Sequence, residues 1–263
     1  VAAARPHITP TEVRRVLEAV REVSRAKRIV LIGGQAVAWW VAYLETADGV
    51  ALAGPKTSKD IDFEGDKDAA REVGRLLHGT VYIPDLDHHT PNTGLVVYLD
   101  PDGDKRQIDF LGAPLGLDEQ DVRDTAILVE FPGADGADPI PLWVLHPERC
   151  MESRVANVMI LRTQDQLALD QLRASIVCAQ RFSALLLEDG RRRDVLDLNE
   201  RIFRKCLSDR NFRALYSQLG IDPFHAVLLD SELGRFATDR YPQMQQALDV
   251  RRRKDLAAKD RSS

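Results

Sequence analysis

Three aspartates stand where strands ordinarily exclude them. Asp60 and Asp62 sit two residues apart in Lys59-Asp60-Ile61-Asp62-Phe63, and Asp109 lies in Gln107-Ile108-Asp109-Phe110-Leu111. Both segments read as short apolar strands with an acid at the centre, although Asp is disfavoured in strands. Residues i and i+2 of a strand share a face, so Asp60 and Asp62 project together while Ile61 and Phe63 bury on the other side. With Asp109 on a neighbouring strand, three carboxylates converge. At ~5 Å and an effective dielectric near 20, each like-charged pair costs on the order of 3 kcal/mol. A bound cation, or a carboxyl that keeps its proton, relieves that repulsion. Three oxygen donors without His or Cys suit a hard ion such as Mg²⁺.

The elements that must position these acids follow from periodicity and punctuation. Thr9-Pro10-Thr11-Glu12 opens like a capped helix, continued by Val13, Val16, Leu17 and Val20. A strand over Ile29–Ile32 follows, broken by Gly33-Gly34. The run from Gln35 to Glu45 reads as a buried helix carrying Trp39 and Trp40, which read as core residues. Thr46 to Lys59 is turn-rich, and the first acidic strand follows it. A helix over Lys67–Leu77 precedes a strand near Thr80–Ile83. Thr93–Leu99, the Asp100–Asp104 turn and Lys105–Leu111 form a hairpin with Asp109 mid-strand. Two further strands, Ala126–Phe131 and Ile140–Leu145, flank a Gly/Pro-rich loop. From His146-Pro147-Glu148 onward the pattern is helical, and the charged segment from Arg251 to Ser263 reads as a fraying tail. The expected fold class is therefore α+β: a mixed sheet with flanking helices over 1–145 and an all-helical domain over 146–263.

Composition narrows the function classes. The chain has 263 residues, 44% hydrophobic and 29% charged, long enough for two modest domains. No apolar run approaches the ~18 residues of a membrane span, and no apolar signal core follows Val1-Ala2-Ala3-Ala4-Arg5-Pro6. Three cysteines without CxxC spacing read as reduced core thiols, so a cytoplasmic location is expected. A net charge of −5 argues against a surface that is basic throughout. Arg191-Arg192-Arg193 and Arg251-Arg252-Arg253-Lys254 are local basic clusters, most simply solvated helix faces.

Other motifs are weaker. Gly33-Gly34 between strand and helix would let backbone amides approach an anion, but a glycine pair also simply turns a chain. It is neither a GxGxxG nor a Walker A loop. Asp85-Leu86-Asp87-His88-His89 lacks the second His-rich segment of a tetrahedral metal site and reads as a polar loop. No Ser or Cys has a nucleophile context.

In order, these residues resemble the nucleotidyltransferase superfamily with the DNA polymerase β-like fold, whose signature is strand, Gly-Gly or Gly-Ser, helix, Asp-x-Asp, then a third acid on a later strand. Gly33, Gly34, Asp60, Asp62 and Asp109 match it. Within the superfamily the chain is similar to the AbiEii-type toxins of bacterial toxin–antitoxin systems. Ser58 before Asp-x-Asp, the Pro147-Glu148 helix start through Arg154, and Arg193-Asp194-Val195-Leu196-Asp197-Leu198 carry that likeness, which spans about residues 28–200. The resemblance implies that Asp60, Asp62 and Asp109 are catalytic and hold Mg²⁺. It implies that Gly33, Gly34, Ser58, Lys59, Arg154 and Arg193 contact an NTP, and that the acceptor is a hydroxyl of tRNA or other RNA, a protein or a small molecule. An antitoxin would be the partner. Two departures stand out: 25 residues separate Gly34 from Asp60, and Arg154 replaces the usual Lys. A catalytically silent nucleotide-binding regulator and a non-enzymatic partner-binding helical module are the alternatives.

Overall fold

The computed structural model describes residues 10–24, 27–49, 51–52, 54, 60–85, 90–131 and 139–260. Its class is the expected one, a mixed seven-stranded sheet with helices and a helical C-terminal region. The chain divides into two compact units, Val1–Ala42 with Pro55–Ser153, and Tyr43–Gly54 with Arg154–Ser263. The expected division near residue 146 is thus replaced by one inside a helix, and a short earlier segment joins the second unit.

The first unit holds the whole sheet. Its strands are β1 (Val30–Ile32), β2 (Ile61–Glu64), β3 (Thr80–Tyr82), β4 (Asn92–Leu99), β5 (Lys105–Leu111), β6 (Ile127–Phe131) and β7 (Ile140–Val144), ordered β3-β4-β5-β2-β1-β7-β6. The β4–β5 hairpin closes where the sequence predicts, with Asp100 Oδ1 accepting from the Asp102 and Asp104 backbone amides at 3.0 and 2.8 Å. β2 pairs antiparallel with β1 and parallel with β5. One sheet face is apolar and closed: Leu31, Ile61, Phe63, Val96, Ile108 and Phe110 are all fully buried. Phe63 and Phe110 stack with ring centroids 5.8 Å apart. Helix α3 (Lys67–Leu76) lies against this face, because a Cβ on Gly94 would meet Ala70 and one on Gly65 would meet Phe110. Helix α1 (Pro10–Ser24) presents Val13, Val16, Leu17 and Val20 as a buried stripe, at the predicted helical spacing.

Helix α2 (Gly33–Asp48) begins two residues earlier than the periodicity suggests. Gly33 does not break the chain; its left-handed φ of 69° turns β1 directly into the helix. Trp39 and Trp40 are buried as expected, and Trp40 Nε1 donates to the Leu145 carbonyl at 2.8 Å. A seven-residue helix, α4 (Glu119–Thr125), has no counterpart in the sequence reading. It starts at Asp118, whose carboxylate accepts from the Asp121 amide at 2.7 Å.

The second unit is helical: the end of α5 (Pro147–Met159), then α6 (Gln166–Glu188), α7 (Arg192–Ser208), α8 (Arg210–Leu219) and α9 (Tyr241–Asp260). The tail expected to fray from Arg251 is instead helical through Asp260. Arg213 Nε donates to Asp255 at 2.9 Å, and Arg252 pairs with Asp222 while its guanidinium lies 3.9 Å from the Tyr216 ring centre. Three cysteines, Cys150, Cys178 and Cys206, are free and buried. Among the described residues no helix is long and apolar enough to cross a membrane.

The Phe63–Phe110 stack seats β2 on β5, so Phe110→Ala should cost about 3–5 kcal/mol by leaving a cavity under the sheet. Urea unfolding measures this, and a loss below ~1 kcal/mol would show that the stack is not what seats the two strands.

Candidate active site on the polar face of the sheet

The register of β2 and β5 decides where the acids go. Asp62 is the direct neighbour of Asp109 across the parallel ladder, as Ile61 is of Ile108 and Phe63 of Phe110. Directly paired residues point to one face. The apolar pairs therefore fill the closed face, and Asp62 and Asp109 share the opposite one. Extending the ladder places Leu95 beside Asp109 and Ile32 beside Asp62, giving a row of two acids flanked by two apolar residues. Asp60 precedes β2 at a bend, and all three acids are half-buried. Ser58 and Lys59, the other sequence candidates in this segment, lie outside the described residues, as do His88 and His89.

Gly33 has a specific steric reason. A Cβ built on it would lie 2.1 Å from Asp62 Oδ2 and 2.9 Å from its carboxyl carbon, well inside contact distance. Its positive φ independently excludes most side chains. The Asp62 carboxylate thus packs against the first residue of α2, at the positive end of that helix's dipole. Gly34 is buried in the same first turn. Gly33, read from sequence as half of an anion cradle, therefore lies against one of the protein's own carboxylates.

Asp109 is oriented by neutral amides. Asn92 Nδ2 donates to Oδ1 at 3.0 Å, and Gln107 Nε2 donates to Oδ1 and Oδ2 at 3.2 and 2.9 Å. Gln107 reaches it because residues i and i+2 share a face. The sequence reading gives neither amide a role. Among the described residues, no three or more His, Cys, Asp or Glu side chains are gathered closely enough to hold a metal ion. The donor chemistry fits a hard cation; the carboxylates are not drawn into one ligand cluster.

A fourth acid belongs to this face. Glu64, two residues beyond Asp62, is fully buried. Arg123 of α4 donates to its Oε1 through Nε at 3.0 Å and through a terminal nitrogen at 2.9 Å. Its Oε2 has no hydrogen-bond partner among the described residues. Burial pushes the Glu64 carboxyl above its ordinary value, while hydrogen bonding and charge from Arg123 pull the other way. The signal was present in the i, i+2, i+4 spacing of Asp60, Asp62 and Glu64.

The remaining candidates belong to the second unit. Arg154 donates to Gln171 Oε1 at 3.1 Å and, with the Asn157 amide turned to present its oxygen, to Asn157 at 2.7 and 3.3 Å. Asp194, of the Arg193–Leu198 motif, accepts from Arg191 Nε at 2.7 Å. Arg193 is exposed at the start of α7.

No family model matches this chain, and neither does any curated protein. Among solved structures it is similar to the crystal structure of JHP933 from Helicobacter pylori, at 14% identity over 96% of this chain and 99% of that one, with a TM-score of 0.36. A likeness at that level carries no argument about what the chain does.

Two expectations follow from the geometry. Gly33→Ala should destabilise the protein by about 2–4 kcal/mol, since it adds a clash to an unfavourable φ. Urea unfolding checks it, and a change under ~0.5 kcal/mol would remove the steric argument. The second concerns Glu64. A carboxyl whose pKa is raised on folding contributes stability below its unfolded pKa, near 4.5, and loses that contribution as pH rises through the folded value. Stability of the wild type relative to Glu64→Gln should therefore fall as pH rises above the ordinary carboxyl value of 4.5. A relative stability that stays flat or rises would contradict the dominance of burial.

Proposed function

We propose that this chain is a Mg²⁺-dependent nucleotidyltransferase that moves an NMP from an NTP to a hydroxyl acceptor on RNA such as tRNA, on a protein or on a small molecule. What supports the reading is one juxtaposition: Asp62 and Asp109 side by side on parallel strands, with Asp62 over the Gly33 start of α2. Asp60, Asp62 and Asp109 would hold the magnesium. When bound, the ion would favour ionisation of the acceptor hydroxyl and offset charge on the leaving pyrophosphate.

In the proposed reaction the acceptor oxygen forms a bond to the α-phosphorus, and the bond from that phosphorus to the bridging oxygen breaks. Pyrophosphate leaves with the electron pair. Asp109, held by Asn92 and Gln107, would take the acceptor's proton. The sequence resemblance assigns Gly33, Gly34, Ser58, Lys59, Arg154 and Arg193 to contacts with the NTP. The toxin role, with an antitoxin as partner, rests on the sequence resemblance.

A second reading, nucleotide binding without transfer, is favoured by the hydrogen bonds that already occupy Asp109 and Arg154. Incubation with each α-labelled NTP, Mg²⁺ and cell extract separates the two. Label transfer with pyrophosphate release is expected, reduced on the order of 100-fold or more in Asp62→Asn. Nucleotide binding with no labelled product would establish the silent reading, and wild-type turnover by Asp62→Asn would remove the aspartate from the mechanism.

A further inference from the structure

The second unit contains a polar cavity of about 430 Å³ that the acidic face does not involve. Its polar lining is Arg162 and Gln164 from the α5–α6 connection, with Arg210, Asn211 and Gln218 from α8. Arg210, Ala214 and Gln218 line it at i, i+4 and i+8, which is one face of a helix. No acid is among the lining residues.

The charge there is unmatched. Arg162 and Arg210 are exposed, and among the described residues neither guanidinium has an ion pair or hydrogen bond. The acids closest to them in sequence are committed elsewhere. Asp165 caps α6 through the Ala168 amide at 2.8 Å, and Asp209 caps α8 through the Asn211 and Phe212 amides at 2.7 and 3.2 Å. Elsewhere in the helical unit Arg191, Arg213, Arg240 and Arg252 have carboxylate partners, while Arg193, Arg204 and Arg235 are unpaired among the described residues but do not line this cavity. Arg162 also holds a left-handed backbone, with φ 55°. This is the left-handed turn that ends α5, closed by the Thr163 amide donating to the Asn157 carbonyl at 3.3 Å, and it fixes where Arg162 leaves the helix.

Two uncompensated guanidiniums select an oxyanion, and their planar forks match phosphate oxygens in pairs. The volume falls in the range of small-molecule sites, roughly 300–1,000 Å³, so it admits more than an inorganic ion. Three side-chain amides provide both donors and acceptors for what is attached to the phosphate. We propose that this cavity is a binding subsite for a phosphate ester, clamped by Arg162 and Arg210, with Gln164, Asn211 and Gln218 contacting the attached group. The phosphate is that of a free nucleotide or of a polynucleotide strand. The inference uses the second unit alone and stands whether or not the acidic face transfers nucleotides.

The test uses the full chain in EDTA, so that no divalent cation contributes. ATP binding is measured by calorimetry, and binding of a fluorescein-labelled single-stranded oligoribonucleotide by anisotropy across a salt series. The Arg162→Gln/Arg210→Gln double variant should weaken binding of at least one probe tenfold or more. Arg162→Gly/Arg210→Gln, in which glycine accepts the left-handed backbone, should do the same and guards against misfolding of the first variant. Weakened RNA binding with ATP unaffected assigns the phosphate to a strand, and the salt slope should then become shallower by about 1.4 for two lost contacts. Weakened ATP binding assigns it to a nucleotide. No binding of either probe by the wild type, unchanged binding by both variants, or an equal loss in Arg204→Gln, an exposed arginine of α7 outside the cavity, overturns the proposal.

Discussion

Parallel pairing of β2 with β5 forces the carboxylates of Asp62 and Asp109 onto neighbouring positions of one sheet face, about 5 Å apart by strand spacing. The pairing is held from the other face, where Ile61, Phe63, Ile108 and Phe110 close the apolar layer. Burying those four residues fixes the register, and the register fixes the acids. A shift of one residue would send the acids into the core and the phenyl rings to the polar side. The hydrophobic packing therefore holds two like charges together that would separate if free to do so.

The surroundings are arranged around that constraint. α2 begins with a glycine because the Asp62 carboxylate occupies the space of a Cβ. Asp109 accepts from two side-chain amides, and Glu64 on the same face accepts from the Arg123 guanidinium.

Much of this was legible in the sequence, and the limits have physical causes. The Asp100–Asp104 turn defines the β4–β5 hairpin, and local alternation puts Asp109 mid-strand. Which strand lies beside β5 is set by a crossover through α3, β3 and β4, and periodicity carries no such information. Gly33 reads as a break because its left-handed φ initiates the helix instead of ending the element. α4 buries Val122 as its one closed apolar contact, so it leaves no periodic trace beyond its Asp118 cap. The C-terminal charges look like a solvated tail, but Arg213 and Asp222 hold the helix from more than 25 residues away. Arg162 and Arg210, 48 positions apart, give no local signal that they line one cavity.

Under the proposed function the Asp62–Asp109 pair would be a cation site. Titration of Mn²⁺, a spectroscopic substitute for Mg²⁺, followed by electron paramagnetic resonance on the wild type and on Asp109→Asn, addresses it without reference to turnover. Saturable binding by the wild type, weakened at least about tenfold when one of so few carboxylate ligands is lost, is the expected result. Equal Mn²⁺ affinity in the two proteins, or no specific binding by the wild type, would contradict it.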